Sequence, residues 1–122
     1  MIKLLHVEDD ADIREIAEMA LSLSGEFDVS QCESGEEALK FVADFAPDVL
    51  LLDLMMPGLT GRETLVEMRK LPHLAEVPAI FMTARAGAAE QEELRKVGAE
   101  EVISKPFDPM ALADQIKAVL TA

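Results

Sequence analysis

Tryptophan and tyrosine are absent from this chain, cysteine occurs once and phenylalanine only five times. A lone cysteine forms no internal disulfide, and Cys32 with His6 and His73 falls short of the four donors of a structural zinc site. Both points fit a reducing compartment. Basic residues are scarce as well: 11 Lys and Arg face 24 Asp and Glu, a formal charge of −13. Such an excess opposes condensation onto phosphate backbones, and so few aromatics leave little to stack bases on, so no direct nucleic-acid binding is expected. No apolar run is long enough to span a bilayer, and Glu8-Asp9-Asp10 interrupts the N-terminus before a signal-peptide core develops. A cytoplasmic, soluble domain is the expectation. What is present is 122 residues, half of them apolar. A chain of that size buries roughly two-thirds of its unfolded surface, enough for one core without staples.

The apolar pattern alternates between two periods. Leu4 to Val7 is a short run that stops in acids, and Ile13, Ile16, Ala17, Ala20 and Leu21 follow at helical spacing. Phe27, Val29 and Gln31 alternate as a strand, and Ala38, Leu39, Val42 and Ala43 mark a second helical stripe ahead of Pro47. Asp48 to Asp53 encloses four consecutive apolar residues, the signature of a central strand covered on both faces. The spacing then predicts a helix over Thr64 to Leu71, a strand over Val77 to Met82, a helix over Ala88 to Val97 closed by Gly98, and a short strand over Val102 to Ser104. Asp108-Pro109 reads as the cap and first turn of a last helix. Strict alternation of five strands and five helices with short connections implies a doubly wound α/β domain with a parallel sheet. No repeat, low-complexity segment or flexible linker divides it.

In such a sheet the carboxyl ends of all strands share one edge, where ligands bind. That edge collects Glu8-Asp9-Asp10, Asp53, Met82-Thr83-Ala84 and Ser104-Lys105-Pro106. Carboxylates about 4 to 5 Å apart repel by roughly 3 to 4 kcal/mol per pair at an effective dielectric of 20, so a cation must offset them. Lys105 supplies one charge and a hard divalent ion two. Mg²⁺ takes oxygen ligands and is held by one or two carboxylates plus a phosphate, whereas zinc lacks its His or Cys here. Three acids, a hydroxyl and an amine suit formation of an aspartyl-phosphate. Asp53, the lone acid ending the central strand, is the candidate nucleophile. Glu8 and Asp9 would serve the metal, while Lys105 and Thr83 would each contact a phosphoryl oxygen.

Taken together, Val7-Glu8-Asp9-Asp10, Leu52-Asp53-Leu54-Met55-Met56-Pro57-Gly58 with Gly61, Met82-Thr83-Ala84 and Lys105-Pro106-Phe107 closely resemble the receiver domains of bacterial two-component response regulators. The resemblance covers nearly all 122 residues, so one receiver domain over 1–122, of the stand-alone chemotaxis type, is expected. It implies a flavodoxin-like sheet of strand order 2-1-3-4-5. It also implies that Asp53 is phosphorylated by a histidine kinase or a histidine phosphotransfer protein. Asp9, Asp53 and the Met55 backbone carbonyl would bind Mg²⁺, with Glu8 acting through water. The partner would dock along the first helix, with Ile13 as an apolar contact, and at Pro106-Phe107. A cis peptide is implied before Pro106, with Phe107 on the rim. Output would pass by protein contact to a downstream target, from a monomer or a weak phosphorylation-dependent dimer. The domain would catalyse only its own phosphorylation and dephosphorylation, and so is not expected to be an enzyme.

Two positions depart from the family pattern. Val102 stands where receivers often carry a Tyr or Phe that swings inward, and His6 where the first strand usually has an aliphatic residue. Met55 and Arg85 sit where the family tunes phosphoryl lifetime. Asp10 reads as a helix cap, Cys32 as a small buried hydrophobe, His6 as a strand residue with one ring nitrogen satisfied, and His73 as a surface loop residue. The charge run from Glu90 to Lys96 reads as a solvated helix face. Three rival readings compete with the receiver reading: an aspartyl-phosphate phosphatase, which would need an acid where Met55 stands; a flavodoxin-like carrier, whose first loop would cradle phosphate; and a pseudo-receiver without phosphorylation.

Overall fold

In a computed structural model, which describes residues 1–121, strands and helices alternate as the apolar periods require. They are β1 (Ile2–Val7), α1 (Ala11–Ser24), β2 (Phe27–Cys32), α2 (Gly35–Phe41), β3 (Val49–Asp53), α3 (Gly61–Met68), β4 (Ala79–Thr83), α4 (Ala88–Lys96), β5 (Ala99–Ser104) and α5 (Leu112–Leu120). A 3₁₀ turn, Pro72–Leu74, precedes β4. The five strands are parallel in the order β2-β1-β3-β4-β5. This is the doubly wound, flavodoxin-like arrangement expected from the sequence.

Side-chain alternation splits the core in two. Leu5, Val7, Leu50, Leu52 and Phe81 pack against α2, α3 and α4, whereas Leu4, Val49, Leu51, Ile80 and Met82 pack against α1 and α5. Leu50, Leu51 and Leu52 are wholly inaccessible, because helices cover both faces of β3. Each such side chain contributes about 1.5–3 kcal/mol of burial.

Helix ends follow local chemistry. The Asp10 carboxylate accepts from the backbone N–H groups of Asp12 and Ile13, so Asp10 is the cap of α1, and Gly25 ends that helix in the left-handed region at φ 70°. Thr60 and Glu63 form a reciprocal capping box, which starts α3 at Gly61, three residues before the expected Thr64. The second helix ends at Phe41, well short of Pro47. There Phe41 and Phe45 meet with ring centroids 4.8 Å apart, and the His73 ring bonds the Val42 carbonyl at 2.7 Å. His73 is therefore exposed but engaged, in a 3₁₀ turn and not a free loop. The fifth strand begins at Ala99, not Val102. Glu100 and Glu101 belong to a sheet edge, where charge is tolerated and discourages further pairing. Asp108 caps a turn through Met110 N–H, and α5 proper starts at Leu112.

Candidate functional site

The carboxyl ends of β1, β3, β4 and β5 converge, and they bring together the charged residues singled out above. Glu8 is completely buried, Asp53 is 3% exposed and Asp9 is exposed. Each offers an oxygen, and the three oxygens lie within 4.8 Å of one another. The Lys105 ammonium sits 2.8 Å from Glu8 Oε1 and 2.8 Å from Asp53 Oδ1. The backbone reinforces this arrangement. Lys105 N–H donates to the Thr83 carbonyl at 2.8 Å and Leu54 N–H to the Met82 carbonyl at 3.0 Å, so β4 ties the flanks of the pocket together. The peptide between Lys105 and Pro106 is cis, as the family likeness implied.

Electrostatically the pocket is unbalanced. Three carboxylates face one ammonium, an excess of two negative charges if all ionise. Burial pushes the Glu8 carboxyl up to about 7, against the opposing pull of Lys105, with neighbouring Asp53 raising it further. For Lys105, burial disfavours the charged form, but its pairing with Asp53 and Glu8 outweighs burial and raises its pKa. Glu8 Oε2 accepts from Asp10 N–H at 3.2 Å. Oε1 is buried and, despite the short distance to Lys105, receives no well-directed hydrogen bond. An under-satisfied buried oxygen beside two further carboxylates, with no His or Cys in the group, fits a hard, oxygen-seeking divalent cation. The Met55 carbonyl accepts no hydrogen bond among the described residues, so it too is free to serve as a ligand.

Around this centre the structure places the remaining expected residues. Thr83 is buried, and its hydroxyl oxygen accepts from Arg85 N–H at 3.0 Å, which leaves the hydroxyl proton to donate. Gly61 opens α3 directly beneath Asp53: its N–H donates to the Leu54 carbonyl at 2.9 Å. A Cβ there would collide with the Asp53 carbonyl oxygen. The glycine is thus a close-approach residue that seats the end of β3 on α3. Val102 is 8% exposed and packs in the core beside α2, α3 and α4, so no aromatic stands there. Cys32 is buried, and burial raises its thiol to about 11, with Glu37 adding to the effect. It is an inert packing residue. Phe107 is half-buried and packs one side against the α1/α5 core.

Other contacts carry no sequence motif. Arg14 Nη1 donates to the Glu8 carbonyl at 2.8 Å, and Gln31 Nε2 bonds both the Arg14 carbonyl at 2.8 Å and His6 Nδ1 at 3.1 Å. A half-buried chain therefore runs from β1 through β2 and α1 back to the acidic pocket. His6 Nε2 is buried without a partner, and burial, then Lys105 and Arg14, lowers the imidazole to about 3. It is a neutral strand residue with one nitrogen satisfied, as expected. On α1, Ile13 is half-buried, but Ile16 faces solvent. With Met19 and Leu23 it forms an exposed apolar ridge.

Comparison with known proteins converges on one family. The family described as "Response regulator receiver domain" matches residues 4–117. The transcriptional regulatory protein CpxR homolog of Haemophilus influenzae is 39% identical over 120 residues, covering 98% of this chain and 51% of that protein. The phosphate regulon transcriptional regulatory protein PhoB of Pseudomonas aeruginosa is 34% identical, covering 96% of this chain and 51% of its own length. The chain thus spans about half the length of these curated relatives. Among solved structures, the chemotaxis response regulator CheY4 of Vibrio cholerae superimposes with a TM-score of 0.92 at 29% identity, covering 98% of each chain. Among the described residues, no helix is long and apolar enough to cross a membrane. The chain belongs to the response regulator receiver domain family, the phospho-accepting switch of two-component systems.

Proposed function

We propose that Asp53 is the phosphoryl acceptor, that the donor is a phosphohistidine on a sensor kinase or phosphotransfer protein, and that Mg²⁺ is the required cation. The observation that carries this reading is the convergence of Glu8, Asp9 and Asp53 with the Lys105 ammonium 2.8 Å from Asp53. Asp9, Asp53 and the Met55 carbonyl would hold the ion, with Glu8 acting through water. The bound ion supplies positive charge against the phosphoryl oxygens during transfer. An Asp53 carboxylate oxygen attacks phosphorus, a P–O bond forms, the P–N bond breaks and the imidazole leaves with a proton. Lys105 already sits on Asp53 Oδ1 and neutralises charge on a transferred oxygen, while the Thr83 hydroxyl donates to another. Transfer exchanges one negative charge for about two in a pocket already rich in them. Lys105 and Thr83 must then rearrange, and that rearrangement separates the two states.

The partner docks on α1, where Ile13 and the exposed Ile16, Met19 and Leu23 offer apolar area, and at Pro106-Phe107. The state is read by protein contact with a downstream target, from a cytoplasmic monomer or weak phosphorylation-dependent dimer. The domain catalyses only its own modification and turns over no external product. The test is intact mass after incubation with acetyl phosphate, with and without Mg²⁺, for the parent and Asp53→Asn. A Mg²⁺-dependent gain of one phosphoryl mass that disappears in the variant supports the reading. No adduct in the folded parent would favour a pseudo-receiver that binds partners without phosphorylation.

A further inference from the structure

We infer that the groove between α3 and α4 is a docking site for a short peptide segment that combines apolar side chains with Lys or Arg. The groove is a separate cavity of about 680 Å³ beside the acidic pocket, a size that accommodates several side chains. Its floor is apolar: Leu54, Met55, Ala89 and Leu94 line it. Met55 is 71% exposed, a large apolar side chain left largely uncovered by the described residues. The α4 wall is lightly held. Leu94 is its one buried residue, and its first turn, after Gly87, has no side-chain cap. The neighbouring helix α3 buries four residues and carries a full capping box.

Charge selects the occupant. The rim carries Glu63, Glu90 and Glu93 against Arg62, with Lys96 Nζ 3.8 Å from Glu93, a net acidic edge on a chain of −13. Arg62 Nη2 pairs with Glu93 at 3.3 Å, and Glu63 is engaged in the capping box. Glu90 has no such partner among the described residues. A second copy of this chain would bring like charge to the rim, so a basic partner fits and self-association does not. A peptide supplies apolar and cationic side chains together and so meets both the apolar floor and the acidic rim. Leu54 and Met55 directly follow Asp53 in sequence, so an occupant touches the segment that leads out of the acceptor strand without entering the acidic pocket. The inference does not depend on phosphoryl transfer and is tested in the unphosphorylated chain.

The experiment is a ¹⁵N-amide NMR titration with the acetylated, amidated hexapeptide Lys-Leu-Phe-Lys-Leu-Lys and its counterpart bearing Glu at each Lys position. The basic peptide should give saturable shifts centred on Leu54, Met55, Ala89 and Leu94, and the acidic peptide none. Glu90→Gln with Glu93→Gln should weaken binding roughly fivefold to tenfold, as expected for two exposed charge contacts. Thermal melts of the variant verify folding. Absence of saturable shifts, shifts centred on α1, equal binding of the acidic peptide, or indifference to the rim substitutions would each overturn the inference.

Discussion

Replacing Glu8 with Gln should make the metal-free domain more stable, and increasingly so as pH rises. Glu8 is completely buried, and burial lifts its carboxyl from 4.5 to about 7 in the folded state. An acid whose folded pKa is raised binds its proton more tightly when folded, so the folded state loses stability as pH climbs from the unfolded value through the folded one. At about 1.4 kcal/mol per tenfold, ionised Glu8 costs about 3 kcal/mol near pH 8 and under about 1 kcal/mol near pH 5. Glutamine keeps an acceptor for Asp10 N–H but has no charge to desolvate. Urea unfolding in EDTA should therefore place the Glu8→Gln midpoint above the parent by more than about 1 M near pH 8, with the gap shrinking toward pH 5. Millimolar Mg²⁺ should narrow the gap, because a cation in the pocket stabilises the parent and has less to bind in the variant. A pH-independent difference, or a Glu8→Gln protein less stable than the parent near pH 8, would refute the reasoning.

Three further outcomes follow from particular contacts. Gly61→Ala drives a Cβ into the Asp53 carbonyl oxygen, so chemical denaturation should show a loss of about 1–3 kcal/mol, and modification by acetyl phosphate should slow. Arg69 donates to the Leu74, Val77 and Gly98 carbonyls at 2.7, 2.6 and 3.4 Å. Arg69→Ala should cost about 2–4 kcal/mol by the same assay, since all three carbonyls lose a cationic guanidinium donor. The His6 imidazole is held neutral down to about 3, so the unfolded chain takes up its proton first. Stability present above about pH 6.5 is then lost on acidification, by about 2–3 kcal/mol between pH 7 and pH 4.5. His6→Leu should remove that component from a pH series of unfolding curves, and an unchanged acid limb would contradict it.

The sheet was legible because its signals are local and redundant. Four consecutive apolar residues before Asp53 admit few placements other than a doubly covered strand, and strand ends carrying acids, a hydroxyl and a lysine define the pocket once the strands are parallel. Boundaries were less legible where two signals competed. Pro47 drew the second helix too far, although the Phe41–Phe45 contact and the His73 bond to Val42 end it earlier. The Thr60-x-x-Glu63 capping box was readable as spacing, and it moves the start of α3 to Gly61. Glu100 and Glu101 disguised the start of β5, since charge on an edge strand resembles a loop. Contacts made by long side chains across elements leave no pattern in one sequence. The Arg69 clamp and the Arg14–Gln31–His6 chain depend on reach and direction in three dimensions. Ile16 lies within the helical stripe by spacing yet faces solvent, because one stripe is wide enough to include its flank.

Phosphoryl transfer is expected at Asp53 and nowhere else. The most direct measurement is borohydride trapping of the acetyl-phosphate-treated protein followed by peptide mass mapping, since reduction of an acyl phosphate leaves homoserine at the modified aspartate. Homoserine confined to position 53, and present only when Mg²⁺ was supplied, is the result predicted. Homoserine at Asp9 or Asp10, or no conversion in folded protein with Mg²⁺, would contradict the account.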